Sequence, residues 1–239
     1  MVHHTEKEPL AGDMSVHACD HPSKAGMVST LKTYVRRLLL RKKVAGDLLA
    51  GTDESVQRYY NSRKSECHFL LDPSHYEYPR IGWMLEEIRD GVVLEVGAAD
   101  GGMTRLLAPR VGRVVALDLC RESLQSIEEL GLANVETCCE FVERYVPPAP
   151  FDWMVMSEVV EHLRKPEQVL QRCVGWLRQG GKLLLSTPLG HWDSIEHLQE
   201  FDMASWCTLL GASGARSISA FTIPDHEGRD RWLGARLEQ

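Results

Sequence analysis

No stretch of 18 apolar residues occurs anywhere in this 239-residue sequence, so no membrane-spanning helix is expected. The opening residues, MVHHTEKEPLAGDMSV, lack the basic start and apolar stretch of a secretory signal. Seven cysteines form an odd set with no C-x-x-C pair. That argues against a disulfide framework or zinc ribbon and for reduced thiols in a cytoplasmic setting. No internal repeat is visible, which removes solenoids and propellers. Surplus basic charge is missing as well. A net charge of −7 disfavours a general nucleic-acid binder, which would carry a basic face.

What is present suits one large domain: 44% apolar and 26% charged residues, enough to bury a sizeable core. One asymmetry needs a reason. Residues 31–46, LKTYVRRLLLRKKVAG, hold six basic residues and no acid, which leaves the rest of the chain at −13. The stripe has three readings: the solvated face of a helix docked by its leucines, a peripheral membrane contact, or a contact with RNA phosphates. The first is favoured. Residues 1–30 are polar and aperiodic and read as a flexible N-terminal tail. Its His17, Cys19 and His21 match no standard zinc spacing. Residues 31–90 are expected to form a helical cap or lid. Leu31, Val35, Leu38 and Leu39 start one apolar stripe that runs to about Tyr60. Ile81, Met84, Leu85 and Ile88 give another across Tyr78–Arg89.

From residue 91 to 239 the pattern changes. VVLEV (92–96), RVVALDL (113–119), NVETCC, FDWMVMSEV (151–159) and KLLLSTP (182–188) read as strands. Between and after them MTRLLAPRV, RESLQSIEELG with Gly131 as C-cap, KPEQVLQRCVGWLRQGG and DMASWCTLLGASG read as helices. ARSISAFTI and DRWLGARLE read as two closing strands. Such alternation predicts an α/β, Rossmann-like, doubly wound sheet of seven mostly parallel strands with both faces covered.

Gly97, Gly101 and Gly102 fall between the first strand and its helix, where such sheets bind ligands. A dinucleotide loop would read G-x-G-x-x-G, its second Gly letting backbone reach a pyrophosphate. Here that position is Ala99, and the neighbouring Asp100 would repel phosphate. Glu95 closes the first strand and Asp118 ends the second. Carboxylates here suit a ligand bearing an ammonium and a sulfonium, and an acid at 118 can accept both hydroxyls of an adenosine ribose.

LEVGAADGG, FDWMVMSEVVEHL and LRQGGKLLLSTP resemble, in order and spacing, motifs of the class I S-adenosylmethionine-dependent methyltransferases. Ala99 departs from that family's middle Gly, and Glu140 from its usual Asp. The resemblance implies that residues 91–239 are the S-adenosylmethionine-binding domain. It implies that the Gly97–Gly102 loop, with Ala99 and Gly101, wraps the methionine part, that Asp118 holds the ribose, and that Glu95 and Leu119 are also cofactor-binding. The turn Cys139–Phe141, with Glu140 and Phe141, would face the adenine, and Ser157 would border the site at strand four.

Glu158, Glu161 and His162 follow strand four, three and four residues apart; on a helix they would share one face. They could bind Mg²⁺, Mn²⁺, Fe²⁺ or Zn²⁺, with a further ligand from His191 or His197. SEVVEHL resembles the segment of ubiquinone-pathway O-methyltransferases and small-RNA 2′-O-methyltransferases. That resemblance implies a metal held by Glu158, Glu161, His162 and, as in the RNA enzymes, His197. The same text also occurs in methyltransferases not known to use metal, and that reading stays open. His162, with an ordinary pKa near ~6.5, is the candidate general base; Glu161 and His197 complete the catalytic candidates. The resemblance also implies that the segment before strand one and the loop after strand five close over the acceptor, which makes Tyr59, Tyr60, His75, Tyr76 and Tyr78, with Trp192 opposite, lid candidates. The expected function is methyl transfer from S-adenosylmethionine to O or N of a small-molecule, biosynthetic acceptor. The alternatives are a metal-dependent RNA 2′-O-methyltransferase and a non-catalytic S-adenosylmethionine-binding regulatory protein.

Overall fold

The structure, a computed structural model, describes residues 39–40, 43–63 and 66–239. The tail 1–30, its His17, Cys19 and His21, and most of the basic stretch 31–46 lie outside the described residues. Residues Leu40–Gln239 form one unit.

The apolar runs become strands β1 (Val92–Val96), β2 (Arg113–Asp118), β3 (Val135–Cys139), β4 (Phe151–Ser157), β5 (Leu177–Pro188), β6 (Ser217–Pro224) and β7 (Asp230–Glu238). They pair in the order β3-β2-β1-β4-β5-β7-β6. The first five are parallel, and β7 runs antiparallel between β5 and β6. The expected seven-stranded, mostly parallel sheet is the one observed. Besides a helical stretch at 43–50, the helices α1 (Asp53–Asn61), α2 (Pro79–Glu87), α3 (Gly102–Leu107), α4 (Arg121–Glu128), α5 (Pro166–Gly175) and α6 (Met203–Gly211) accompany it.

Successive strand residues face opposite layers. Val93, Val155 and Leu184 pack on Ile81 and Met84 of α2 and on Met103 and Leu107 of α3. Leu94, Met154 and Leu183 pack on Val169 and Leu170 of α5 and on Trp206 of α6. Because both faces are buried, the central strands need continuous apolar runs instead of alternation. On β2, Ala116 lies under Leu124 and Ile127 of α4. Among the described residues no helix is long and apolar enough to cross a membrane, and the six described cysteines are unpaired.

Two local expectations are corrected. The single helix running to about Tyr60 is broken: residues 43–50 are helical, and α1 restarts after Thr52. Thr52 is extended, and its side chain accepts from Ser55 N, as an N-cap does. A Cβ on Gly51 would lie 2.5 Å from Asp47 O. The helix expected to run through Gly181 stops at Gly175, and LRQGG joins β5. Phe151 pairs with Leu177 while Trp153 pairs with Lys182, so the stretch bulges. Gly180, at φ +74°, supplies the left-handed bend.

Candidate active site

From β1 the chain winds outward through β2 and β3, whereas β4 and β5 lie on the other side. The carboxyl ends of β1 and β4 therefore part, which is where open α/β sheets hold ligands. A cleft of about 560 Å³ occupies this place. The loop after β1 is tied to β2: Gly97 N donates to Leu117 O at 2.8 Å. A Cβ on Gly97 would come within 2.5 Å of Val159 Cγ2. Ala99 takes the left-handed conformation (φ +48°) that a Gly would adopt more freely. Its N–H donates to Asp118 Oδ2 at 2.9 Å, and Cys120 N donates to Asp118 Oδ1 at 2.8 Å. Burial pushes the Asp118 carboxyl up against the opposing pull of those N–H groups. Glu95 is buried, and its Oε2 accepts from Thr104 Oγ1 of α3 at 2.6 Å. Burial moves its pKa up to about 8, opposed by that hydrogen bond. Asp100 instead accepts from Cys67 N at 2.8 Å.

At the end of β4 the chain does not continue into an α-helix. Glu158 turns left-handed at φ +58°, and Val160–His162 forms one 3₁₀ turn. The three residues therefore do not share one helical face. Glu161 is fully buried and its Oε2 accepts from Thr187 Oγ1 at 3.0 Å, while Oε1 of both Glu158 and Glu161 is buried without a hydrogen-bond partner. Burial raises both carboxyls, and each is near enough for the Glu161 charge to raise Glu158 further. His162 Nδ1 lies 3.1 Å from Glu196 O. A carbonyl only accepts, so Nδ1 carries the proton and Nε2 keeps its lone pair. Burial holds the His162 pKa down, keeping the ring neutral. The ligand atoms of Glu161, His162 and His197 all lie within 4.8 Å of one another; Glu158 is outside that group.

Helix α1 roofs the cleft with Asp53, Val56 and Tyr60. Val56 packs with Leu48 and Phe141, and the Tyr60 ring stands edge-on to His162 at 6.4 Å. Two arginines hold the roof. Arg164 donates to Leu48 O and Gly51 O, each at 2.8 Å, and meets Asp53 Oδ1 at 3.4 Å. Arg144 reaches Asp53 Oδ2 at 3.1 Å and Glu140 Oε1 at 2.9 Å. On the far side Tyr59 OH donates to Glu196 Oε1 at 3.1 Å, and burial followed by the Glu196 charge pushes Tyr59 up to about 12.

Residues 75–219 match the family described as "Methyltransferase domain", more than half of the chain. The chain belongs to this methyltransferase family. A ubiquinone biosynthesis O-methyltransferase from Leptothrix cholodnii is 30% identical over 125 residues, 48% of this chain and 53% of that protein. An (S)-coclaurine N-methyltransferase from Thalictrum flavum subsp. glaucum is 27% identical over 161 residues, 62% of this chain and 44% of that protein. The chain thus spans about half the length of the curated relatives it matches. The fold is shared with the solved N-methyltransferase NodS from Bradyrhizobium japonicum WM9 in complex with S-adenosyl-L-homocysteine. Its TM-score is 0.62 at 18% identity, covering 77% of this chain and 98% of that one.

Within this methyltransferase domain Glu95, Gly97, Ala99, Asp118, Leu119, Glu140, Phe141 and Ser157 border the cleft, as do Glu158 and His162. Gly101 does not; it caps α3 at φ +85°, where a Cβ would meet Ile127 Cγ1 at 2.8 Å. Glu161 and His197 do not line the cleft, although their ligand atoms group with that of His162, which does. Of the lid candidates Tyr60 borders the cleft. His75 stacks between Phe69 and Tyr76 instead, and Trp192 faces Trp232 at 6.0 Å. Arg80, Cys67 and Glu196 are among the cleft residues that sequence reasoning does not single out. Arg80 of α2 is buried, bonded to Ser157 Oγ and to Glu77 Oε2 at 3.1 Å. It was readable as a charge four residues before Met84 on the apolar stripe. Cys67 and Glu196 arrive from irregular segments that carry no such signal.

Proposed function

We propose that this chain transfers a methyl group from S-adenosylmethionine to oxygen or nitrogen of a small-molecule acceptor. The observation that carries the reading is Asp118 at the carboxyl end of β2. Each of its oxygens accepts one backbone N–H and keeps lone-pair capacity, enough for two ribose hydroxyls. Glu95 and the Gly97–Ala99 backbone suit the ammonium end of the same ligand. Phe141 offers an apolar surface to adenine, with Arg144 stacked 4.7 Å from its ring centre. The relatives named for ubiquinone and (S)-coclaurine support small O- and N-acceptors.

S-adenosylmethionine supplies a carbon already activated by sulfonium, so the protein mainly aligns the acceptor. His162, held neutral with its Nε2 3.9 Å from Glu161 Oε1, can take the acceptor's proton. Glu161, His162 and His197 also fit a divalent cation. The orphaned Glu161 Oε1 needs a partner, and the set of one carboxylate and two imidazoles suits Mn²⁺, Fe²⁺ or Zn²⁺ better than Mg²⁺. Such an ion would supply Lewis acidity that lowers a hydroxyl's pKa, with His162 then a ligand and not the base.

Calorimetry with S-adenosylhomocysteine tests the core of this. Asp118→Asn replaces an acceptor oxygen by a donor facing backbone N–H groups. It is expected to weaken binding about 10- to 100-fold and, by leaving one backbone N–H without its acceptor, to cost about 1–3 kcal/mol of stability. An unaltered chain that does not bind S-adenosylhomocysteine would sink the proposal.

A further inference from the structure

We infer that the ring of Tyr60 reads the positive charge of S-adenosylmethionine, so that the roof holds it more tightly than the neutral S-adenosylhomocysteine left after transfer. The inference rests on the methyl-transfer reading and adds to it the residue that tells reactant from product.

Helix α1 crosses the cleft in register with the ligand proposed for it. Asp53, Val56, Gln57 and Tyr60 recur at helical spacing and so share one face. Asp53 Oδ2 meets Arg144, which holds Glu140 just past the end of β3. Val56 packs with Phe141, the surface assigned to adenine. Gln57 Nε2 donates to Leu119 O at 3.1 Å, and Leu119 follows Asp118, the carboxylate assigned to ribose. Tyr60 comes next, bordering the cleft and standing 6.4 Å from His162. Between Asp53 and Tyr60 the helix advances about 10 Å. Its face therefore passes from the adenine residues, past the ribose residues, to the residue proposed to take the acceptor's proton. Adenine at Phe141 and ribose at Asp118 leave the sulfur end of the ligand to Tyr60.

An aromatic ring in that place suits a cation. The face of a tyrosine attracts a positive charge within about 6 Å of its centre, most strongly where water is excluded. The rings of Tyr59, at 5.4 Å, and His162 meet Tyr60 at right angles, and neither lies flat on it. Burial, then the charge of Glu196, push the Tyr60 hydroxyl well above its ordinary range. The side chain thus acts on a charge through its ring and not as an ion. Tyr60 loses that attraction once the sulfonium has given up its methyl and become a neutral thioether. The contact favours the reactant and lets the product go.

The test is calorimetry of the unaltered full-length chain, Tyr60→Leu and Tyr60→Phe, each with S-adenosylmethionine and with S-adenosylhomocysteine in the absence of acceptor. In Tyr60→Leu the ratio of S-adenosylmethionine to S-adenosylhomocysteine affinity is expected to fall about 3- to 30-fold. Affinity for S-adenosylhomocysteine itself is expected to stay within about threefold of the parent's. Tyr60→Phe keeps a ring and is expected to keep the ratio within about twofold. Should Tyr60→Leu not fold, Tyr60→Met fills the same space without a ring and carries the same expectation. A ratio unchanged without the ring, whether or not both ligands weaken, would reduce Tyr60 to packing. A ratio that falls as far in Tyr60→Phe would assign the effect to the hydroxyl. Either result overturns the inference. Failure of the unaltered chain to bind S-adenosylhomocysteine would instead defeat the methyl-transfer reading.

Discussion

Arg164→Ala removes the clamp that closes the end of helix 43–50 against the body of the sheet. Its guanidinium donates two hydrogen bonds of 2.8 Å, to Leu48 O and Gly51 O, carbonyls that the end of a helix leaves unpaired. A hydrogen bond from a charged group contributes about 1.5–3 kcal/mol. The Arg164 side chain is 29% exposed, so water can reach the freed carbonyls and the lower figure applies, about 3 kcal/mol for the two. The 3.4 Å contact with Asp53, itself 44% exposed, adds at most about 1 kcal/mol. Loss of about 3 kcal/mol from docking corresponds to roughly two decades in local opening. Hydrogen exchange of the amides in 43–61 is therefore expected to speed up about 100-fold, while amides of β1 and β4 keep their rates. Release of S-adenosylhomocysteine should accelerate with it. Its equilibrium affinity should fall less, because a roof that is open half the time raises the apparent Kd only about twofold. Exchange in 43–61 within threefold of the parent would refute the clamp. Equal acceleration across the sheet would show that Arg164 supports the whole fold.

Further consequences can be checked separately. The pKa of Glu95 is raised in the folded chain to about 8, so between roughly pH 4.5 and 8 the folded state holds a proton that the unfolded state has lost. Stability should fall as pH rises through that window, by up to on the order of 4 kcal/mol. Urea midpoints of Glu95→Gln should lack this decline, and an identical slope in both proteins would refute it. A Cβ on Gly102 would lie 2.1 Å from Cys67 O, so Gly102→Ala must shift backbone that borders the cleft. It is expected to cost about 1–3 kcal/mol by urea unfolding, and no change in midpoint would mean the two backbones are not in contact.

Much of the sheet was legible because fully buried parallel strands leave continuous apolar runs bounded by glycines, as VVLEV and KLLLSTP do. Asp118 and Gly97 were legible because the fold places the ends of β1 and β2 side by side, whatever the ligand. The Glu158, Glu161 and His162 arithmetic assumed α-helical spacing, and a single left-handed residue at 158 undid it. Local sequence gives little warning of that conformation in a glutamate, because tertiary contacts impose it. Arg80 and Glu196 come to the cleft from segments distant in sequence. Their roles depend on how α2 and the loop after β5 pack: the helical stripe marks Arg80 as a charge on a buried face, and Glu196 carries no such signal. The break at Thr52 was present as a capping residue but was masked by the longer helical stripe around it.

The two backbone hydrogen bonds onto Asp118 bear on how the pocket discriminates. They bind the loop after β1 to the loop after β2 through one carboxylate, so the cradle is set when the chain folds and not when a ligand arrives. A nucleotide reaching it meets a wall whose shape is already decided. The loop cannot swing its acid aside to admit a diphosphate without first giving up those two bonds. Selectivity between a sulfonium nucleoside and a phosphorylated one is then a matter of refusal by a stiff surface, and it should survive changes in the roof above.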